Sequence, residues 1–431
     1  MPASSAPLTR YALVDVDACY CACERIFHPE LEGVPVVVLS NNDGCVISRS
    51  SEATALGVEM GAPWLRIRNW AARRGVVARS SNYELYGSIS RRLMDLLHDV
   101  SPAVEAYSID EAFIRVQATD PDGLAALGHR IRATVRRDLG IPVSVGIGPT
   151  KTLAKLASHG AKHSRALCGV AVWDQCTESA RARILQATPA AGVWGVGRRT
   201  ARRLAARGID TAGQLHGQDP GALRQQFGVN LARTVLELRG TPCIETADHD
   251  ADRSGRLVFS RSFSTPVTTA DQMHQVLSLY AQQLTSRLRR QGSVAGAVWA
   301  FAATSPCREP FHQVSAAAEL PERTDDPLAV LRSVSGLLEP RMAEGARYVR
   351  AGICLSELAP AGRQEPLPVF AADPRGRRIG AVIDEVNTRV GHGAVGLGLA
   401  GLACPPDWQM RRGMLSNRGT TCWAELTTVR A

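Results

Sequence analysis

The order of predicted elements constrains this chain more than any other feature. Residues 11–16 are an apolar run reaching Asp15 and Asp17, the length and texture of a buried strand. Residues 82–100 read as a helix, with Asn82 as its N-cap and Glu84 in an acidic first turn. A strand (103–107), a tight link (108–111), a strand (112–116), a helix (121–139) and a strand (143–147) follow. With 33–80 set aside as an insertion, the order is strand, helix, strand, strand, helix, strand, which predicts an α+β, ferredoxin-like sheet. Inside the insertion, 35–39 and 45–47 read as a hairpin around a polar turn at 40–44. A short helix at 52–56 is stopped by Gly57.

The texture changes after Trp173. Residues 190–238 are Arg- and Ala-rich helical sequence broken by glycines, followed by a polar, acidic linker at 246–255. The mixed order then returns, with a strand at 258–263, a helix at 272–290, strands at 297–304 and 313–320, a helix at 328–337 and a strand at 348–355. A tail with a Gly-rich passage runs from 359 to 431. No solenoid-length repeat is present.

Composition closes off several classes. An apolar share of 45% with 21% charged residues is ordinary globular composition and excludes wholesale disorder. No apolar run approaches the ~20 residues of a membrane helix, and the first residues lack the basic and apolar regions of a secretory signal. Eleven cysteines at irregular spacing argue against a disulfide framework and for a reducing cytoplasm. The net charge of +9 points to a polyanionic partner. Of the fifty basic residues only Lys151, Lys155 and Lys162 are lysines, and they fall within one short window.

Three carboxylates stand out. Asp15 ends the first strand, and Asp110 and Glu111 occupy the strand-to-strand link, so the topology lets them converge. Converging acids repel unless cations bind them, and a site of hard oxygen ligands without His or Cys suits Mg²⁺. Two such ions are the apparatus of in-line phosphoryl displacement. A hairpin turn carrying solvated acids has the same spacing. Lys151, Lys155 and Lys162 step by four and seven and share one helix face, which suits a triphosphate or a merely solvated face. Gly195, Gly197, Arg198, Arg199 and Arg202 form a glycine turn feeding a basic helix, a pattern for phosphate backbones or for an exposed helix hairpin. Cys19, Cys21 and Cys23 fit no zinc spacing and read as packed helix positions. His159 and His163 lack a carboxylate motif and read as non-ligands.

These residues resemble the Y-family of translesion DNA polymerases. The sequence LVDVDACY at 13–20 is similar to the family's opening motif, and YSIDEAF at 107–113 to its other metal motif. SNNDGCVISR at 40–49, SNYELY at 81–86, WGVGRR at 194–199 and DWQMRRGMLS at 407–416 extend the similarity to the tail. The resemblance implies a right-hand polymerase. Its palm would be 1–32 and 81–175, its fingers 33–80 and its helical thumb 176–245. A mixed α/β little finger would span 256–358, and 359–431 would be an extension for partner docking.

Asp15, Asp110, Glu111 and the Val16 carbonyl would hold two Mg²⁺. Tyr20 would be a steric gate whose ring clashes with a ribose 2′-hydroxyl. Ser48, Arg49, Lys155 and Lys162 would contact the triphosphate, and Gln364, Leu367 and Phe370 resemble a sliding-clamp peptide. Primer–template DNA, dNTP, a UmuD′ dimer, a RecA filament and the clamp are the implied partners, met in the cytoplasm on the nucleoid during the SOS response. There are departures. Cys19 replaces a bulky aromatic before the gate, and Ser51 and Thr54 stand where many relatives carry a Tyr and an Arg. Two activities therefore fit: low-fidelity, template-directed synthesis past lesions, or a non-catalytic DNA-binding scaffold that recruits repair partners. The intact acids favour synthesis.

Overall fold

The computed structural model describes residues 8–244, 255–306, 310–362, 374–390, 394–398 and 406–426. The chain forms two compact units. The first comprises Met1–Ser40, Gly44–Asp248 and Met414–Ala431, and the second Asn41–Asp43 and His249–Gly413.

The first unit begins with β1 (Leu8–Val16) and α1 (Cys19–Phe27). A small layer follows: β2 (Val36–Leu39), β3 (Val46–Arg49), α2 (Ser51–Ala55), α3 (Trp64–Arg73) and β4 (Val77–Ser80). The β2–β3 hairpin appears as expected, but β4 joins β2 in parallel to give a third strand. The insertion is therefore a sheet with its own apolar core of Val37, Leu39, Val46, Ala53, Val58 and Ala71. Next come α4 (Tyr83–Val100), β5 (Val104–Ala106), β6 (Glu111–Ala118), α5 (Pro121–Leu139), β7 (Val143–Gly148), α6 (Lys151–His163) and β8 (Val170–Val172). Caps set several of these boundaries: the side chains of Asn82, Asp120 and Thr150 accept the backbone N–H of Leu85, Gly123 and Leu153.

The main sheet runs β5-β6-β1-β7-β8, so β1 is central, antiparallel to both β6 and β7. Its core takes Ala12, Val14 and Val16 from β1, with Leu85, Tyr86, Ile89 and Leu93 from α4 and Ile131 and Val135 from α5. On the other face α6 lies so close that a Cβ on Gly146 would stand 2.0 Å from the Ser158 nitrogen. Five helices follow: α7 (Glu178–Ala187), α8 (Arg198–Ala205), α9 (Ala212–His216), α10 (Pro220–Phe227) and α11 (Val229–Leu238). Glu237 of α11 accepts the Thr152 N–H at 3.0 Å, tying this helical layer to the start of α6.

The second unit contains β9 (Arg256–Val267), α12 (Ala270–Arg290), β10 (Ser293–Thr304), β11 (Gln313–Thr324), α13 (Pro327–Leu338) and β12 (Tyr348–Ser356). Its strands run β11-β10-β12-β9, with the short β13 (Ala359–Pro360) paired to β10. Helix α14 (Pro374–Val390) joins this unit through the Arg289–Asp384 ion pair at 2.7 Å. Among the described tail residues, β13 and α14 belong with the second unit and 414–426 with the first. The nine described cysteines are unpaired, with Cys19, Cys21 and Cys23 buried on α1. No helix among the described residues is long and apolar enough to cross a membrane.

Candidate active site

Antiparallel pairing puts Asp15 directly across from Glu111. The adjoining link is a compact turn built on Ser108, whose hydroxyl donates to Asp110 and accepts the N–H groups of Asp110 and Glu111 at 3.2 and 3.0 Å. The Asp110 carbonyl accepts the Val16 N–H at 2.9 Å, closing the link against the end of β1. Two strands far apart in sequence therefore deliver three acids to one end of the sheet.

Burial pushes the Asp15 carboxyl up to about 6, against the pull of Lys162 and with added repulsion from Glu111 and Asp110. The Lys162 ammonium lies 2.6 Å from Asp15 and 3.7 Å from Asp17. Lys155 contacts both Glu111 oxygens at 2.9 Å, with its ammonium 4.4 Å from the centre of the Tyr107 ring. Among the described residues no three His, Cys, Asp or Glu side chains form a ready-made metal nest. Two ammonium groups stand against the carboxylates instead. The donor set still fits a hard divalent cation, being all oxygen and held on backbone of fixed register.

The three lysines do not share one exposed face, contrary to the sequence expectation. Lys151 is buried and ion-paired with Glu105, above the Phe113 ring. At a four-residue step it sits on the same side of α6 as Lys155, but one turn deeper, under the sheet. Its role is in packing.

A cleft of about 390 Å³ adjoins the acids and is lined by Val16, Tyr20, Ser48, Arg49, Asp110 and Lys162, among others. Tyr20 stacks on Tyr86 at 4.5 Å between centroids and 13° between planes, and meets Tyr83 edge-on. Burial pushes its hydroxyl up to about 12, so it stays neutral. Ser48 donates to the Cys21 thiol at 3.4 Å, and the Arg49 guanidinium donates to the Val58 carbonyl. Thr54 also lines the cleft but donates its hydroxyl to the Ser50 carbonyl at 2.9 Å; Ser51 is exposed at the start of α2. Lys155 is not among the lining residues. It borders a second cavity with Asp15, Glu111, His159 and Trp194.

Two groups escaped the sequence reading. Asp17 accepts the Ser144 hydroxyl at 2.9 Å and faces Lys162; its place two residues beyond Asp15 was the available signal. Trp194 donates to the Tyr107 hydroxyl at 2.9 Å, an aromatic contact between distant segments that no spacing announces. Gly195 has φ +88°, and a Cβ there would approach the Thr234 hydroxyl to 2.8 Å, so this turn needs glycine. Gly197 caps α8, on which Arg198, Arg199 and Arg202 are exposed. Arg203 and Arg207 instead pack over Phe227. His159 and His163 stack on each other at 4.2 Å. The clamp-like peptide with Gln364, Leu367 and Phe370 lies outside the described residues.

Residues 14–159 match the impB/mucB/samB family, and 257–367 match the C-terminal domain of that family. Protein UmuC of Salmonella typhimurium is 40% identical over 429 residues, covering 97% of this chain and 100% of the relative. The chain belongs to the impB/mucB/samB family. Other family relatives include protein ImpB of Salmonella typhimurium, 38% identical across 97% of this chain and 99% of its own. A protein named DNA polymerase IV, from Desulfatibacillum aliphaticivorans, is 30% identical across 89% of this chain and 94% of its own. Among solved structures, a Y-family DNA polymerase chimera of Dbh and Dpo4 matches with a TM-score of 0.65 at 18% identity, covering 82% of this chain and 100% of the chimera. This member of the impB/mucB/samB family thus has the Y-family polymerase fold. Residues 377–429 match a domain of unknown function, DUF4113.

Proposed function

We propose that the protein is a template-directed, low-fidelity DNA polymerase that inserts nucleotides opposite damaged bases. The observation that carries this reading is the convergence of Asp15, Asp110 and Glu111 beside a cleft lined by Tyr20, Ser48, Arg49 and Lys162. Asp15, Asp110, Glu111 and the Val16 carbonyl are the groups that would hold two Mg²⁺. When bound, such ions activate a primer 3′-hydroxyl and neutralise charge on the triphosphate and its leaving group.

The chain's own residues do the rest. Lys162, 2.6 Å from Asp15 and 3.7 Å from Asp17, lines the cleft as an ammonium donor for phosphate. Arg49 and the Ser48 hydroxyl offer further donors at the same cleft. Tyr20, flat against Tyr86, closes the cleft where a 2′-hydroxyl would project. Arg198, Arg199 and Arg202, with the turn at Gly195 and Gly197, give the helical layer a set of donors for DNA phosphates. The palm, fingers, thumb and little finger would then be the main sheet, the three-stranded insertion, the layer α7–α11 and the β9–β12 sheet. The UmuD′ dimer, the RecA filament and the sliding clamp belong to the same proposal.

The test is primer extension across an abasic site with Mg²⁺, with and without UmuD′ and a RecA filament. Mg²⁺-dependent extension that is lost in Glu111→Gln is the expected result. Tight binding of primer–template with no extension under any condition would establish the scaffold reading instead.

A further inference from the structure

Of residues 81–86 only Tyr86 enters the chemistry above, and the tail residues up to Ser416 have no role in it. Residues 81–86 and 414–416 meet inside the first unit. Asn82 donates through its side-chain amide to the Ser416 hydroxyl at 2.9 Å, the Ser416 carbonyl at 3.2 Å and the Asn417 carbonyl at 3.3 Å. Ser416 in turn donates to a Glu24 oxygen at 3.0 Å, and the same oxygen accepts the Tyr86 hydroxyl at 2.6 Å. Asn82, Ser416, Glu24 and Tyr86 are each at least nine-tenths buried, while Asn417 is exposed. The Tyr86 ring is the surface on which Tyr20 stacks. Hydrogen bonds and one ring contact therefore run from the tail through Glu24 and Tyr86 to the residue that closes the nucleotide cleft.

The tail is anchored just before this point and folds on itself just after it. Met414 exchanges backbone–hydroxyl and backbone–backbone bonds with Ser80 at 2.9 and 3.0 Å, and its side chain packs on the core of the three-stranded sheet. Arg418 folds back on Glu425 as an ion pair. Glu24 makes the arrangement sensitive. Burial pushes its carboxyl up, while the bonds from Tyr86 and Ser416 and the charge of Arg79 pull it down. A buried carboxylate that loses a donor either takes a proton or moves toward another partner. Either response shifts the Tyr86 hydroxyl and the ring beneath Tyr20.

We propose that the tail segment around Ser416 positions the Tyr20 ring, through Glu24 and Tyr86, and thereby sets how strictly the enzyme rejects ribonucleotides. This inference rests on the reading of Tyr20 as the sugar gate. It gives the end of DUF4113 a task in substrate selection, and makes Ser416, Glu24 and Tyr86 positioning residues.

The experiment is single-nucleotide insertion by the full-length chain, together with any partners it needs for extension, comparing kcat/KM for a dNTP and its matched rNTP. In Ser416→Ala, discrimination should fall by about tenfold, the scale of one lost hydrogen bond to a charged acceptor, with dNTP insertion changed much less. Ser416→Thr, which keeps the hydroxyl, should restore discrimination. Tyr86→Phe, which keeps the ring and removes the link to Glu24, should act like Ser416→Ala and carries the test if Ser416→Ala does not fold. Adding Ser416→Ala to Tyr20→Ala should produce no further loss. If Tyr20→Ala admits ribonucleotides while Ser416→Ala and Tyr86→Phe both discriminate as the parent does, the tail has no such role and the gate stands. If Tyr20→Ala itself leaves sugar selection unchanged, the gate reading falls and this inference falls with it.

Discussion

The main sheet of the first unit and the sheet of the second are built from the same order of elements, yet their strands are arranged differently. Counting strands along each motif, the first sheet runs second, third, first, fourth, and the second runs third, second, fourth, first. In the first, β1 is central and its last five residues are all buried. In the second, β9 is at the edge, paired only with β12 among the described residues, and exposed positions recur along its length. The difference decides where chemistry can be assembled. A residue at the end of a central strand has neighbours on both sides: Asp15 lies between Glu111 of β6 and Ser144 of β7. An edge strand has only one such neighbour. What the second sheet offers instead is an open face, with Val258 and Trp299 exposed, Trp299 stacked on Phe301 at 4.9 Å and Arg350 above the Phe301 ring.

Neutralising the central acid should have the largest effect. Asp15→Asn should abolish extension, by more than about 10³-fold if it removes a group on which phosphoryl transfer depends. It should also stabilise the metal-free protein. The Asp15 carboxyl titrates at about 6 in the fold, above its unfolded value, so the ionised form is held at a cost. That cost, on the order of 1–3 kcal/mol, is full above pH 6, shrinks as the pH falls toward 4 and is absent below. Thermal melts of both proteins at pH 7.5 and pH 4.5 check this. A variant that is less stable than the parent at pH 7.5 would show that the acid is not held against its preference.

Close packing gives the next contrast. A Cβ on Gly146 in β7 would meet the backbone of α6, 2.0 Å from the Ser158 nitrogen and 2.3 Å from the Ala154 carbonyl. A Cβ on Gly352 in β12 would meet side chains, Phe301 at 2.5 Å and Ser260 at 2.8 Å. Backbone cannot rotate away and side chains on an open face can. Gly146→Ala should cost about 3 kcal/mol or more and Gly352→Ala about 1 kcal/mol, read from shifts in denaturation midpoint. Equal losses would mean that α6 can slide on its sheet.

The element order was legible because periodicity and caps are local: the helix bounds at Asn82 and Pro121 fall where the N-cap residue and the N-terminal proline put them. The main sheet's strand order, β5-β6-β1-β7, is the ferredoxin-like one that this element order predicts; the second sheet's was not legible, because it depends on which faces find partners after the chain collapses. β4 was missed for the same reason. Val77–Ser80 is four residues without alternation, recognisable only beside β2. Among site residues, the acids of 13–20 and 107–113 stood out because carboxylates at the ends of apolar strands are conspicuous. Lys151 misled because helical spacing gives a direction around the axis and no depth, and Glu105 waits beneath it. The contact between Asn82 and Ser416 spans 334 residues, and no periodicity reaches that far.

The arginine surfaces of the two units bear on binding rather than chemistry. Arg198→Ala with Arg199→Ala on α8, and separately Arg350→Ala on the open sheet, should each weaken primer–template binding by about tenfold or less. The slope of log affinity against log salt should drop by roughly one for each phosphate contact removed. Extension at saturating DNA should change little. A loss of affinity with an unchanged salt slope would show that these arginines act by packing, as Arg203 and Arg207 do on Phe227.

The smallest expected effect separates the two kinds of cation. The described arginines of the second unit have no lysine among them, whereas all three lysines of the chain are on α6, against the central acids. Lys162 spans Asp15 and Asp17 with one compact ammonium. A guanidinium in its place would present a planar fork suited to gripping a carboxylate with two bonds, and would release it less readily. Lys162→Arg should therefore raise the Mg²⁺ concentration needed for half-maximal extension, and the KM for dNTP, by about three- to tenfold. Affinity for primer–template should stay at the parent value, since the residue belongs to the nucleotide cleft and not to the arginine surfaces. Parent values for all three quantities would mean that either cation serves at this position, and that the confinement of lysine to α6 carries no chemical requirement.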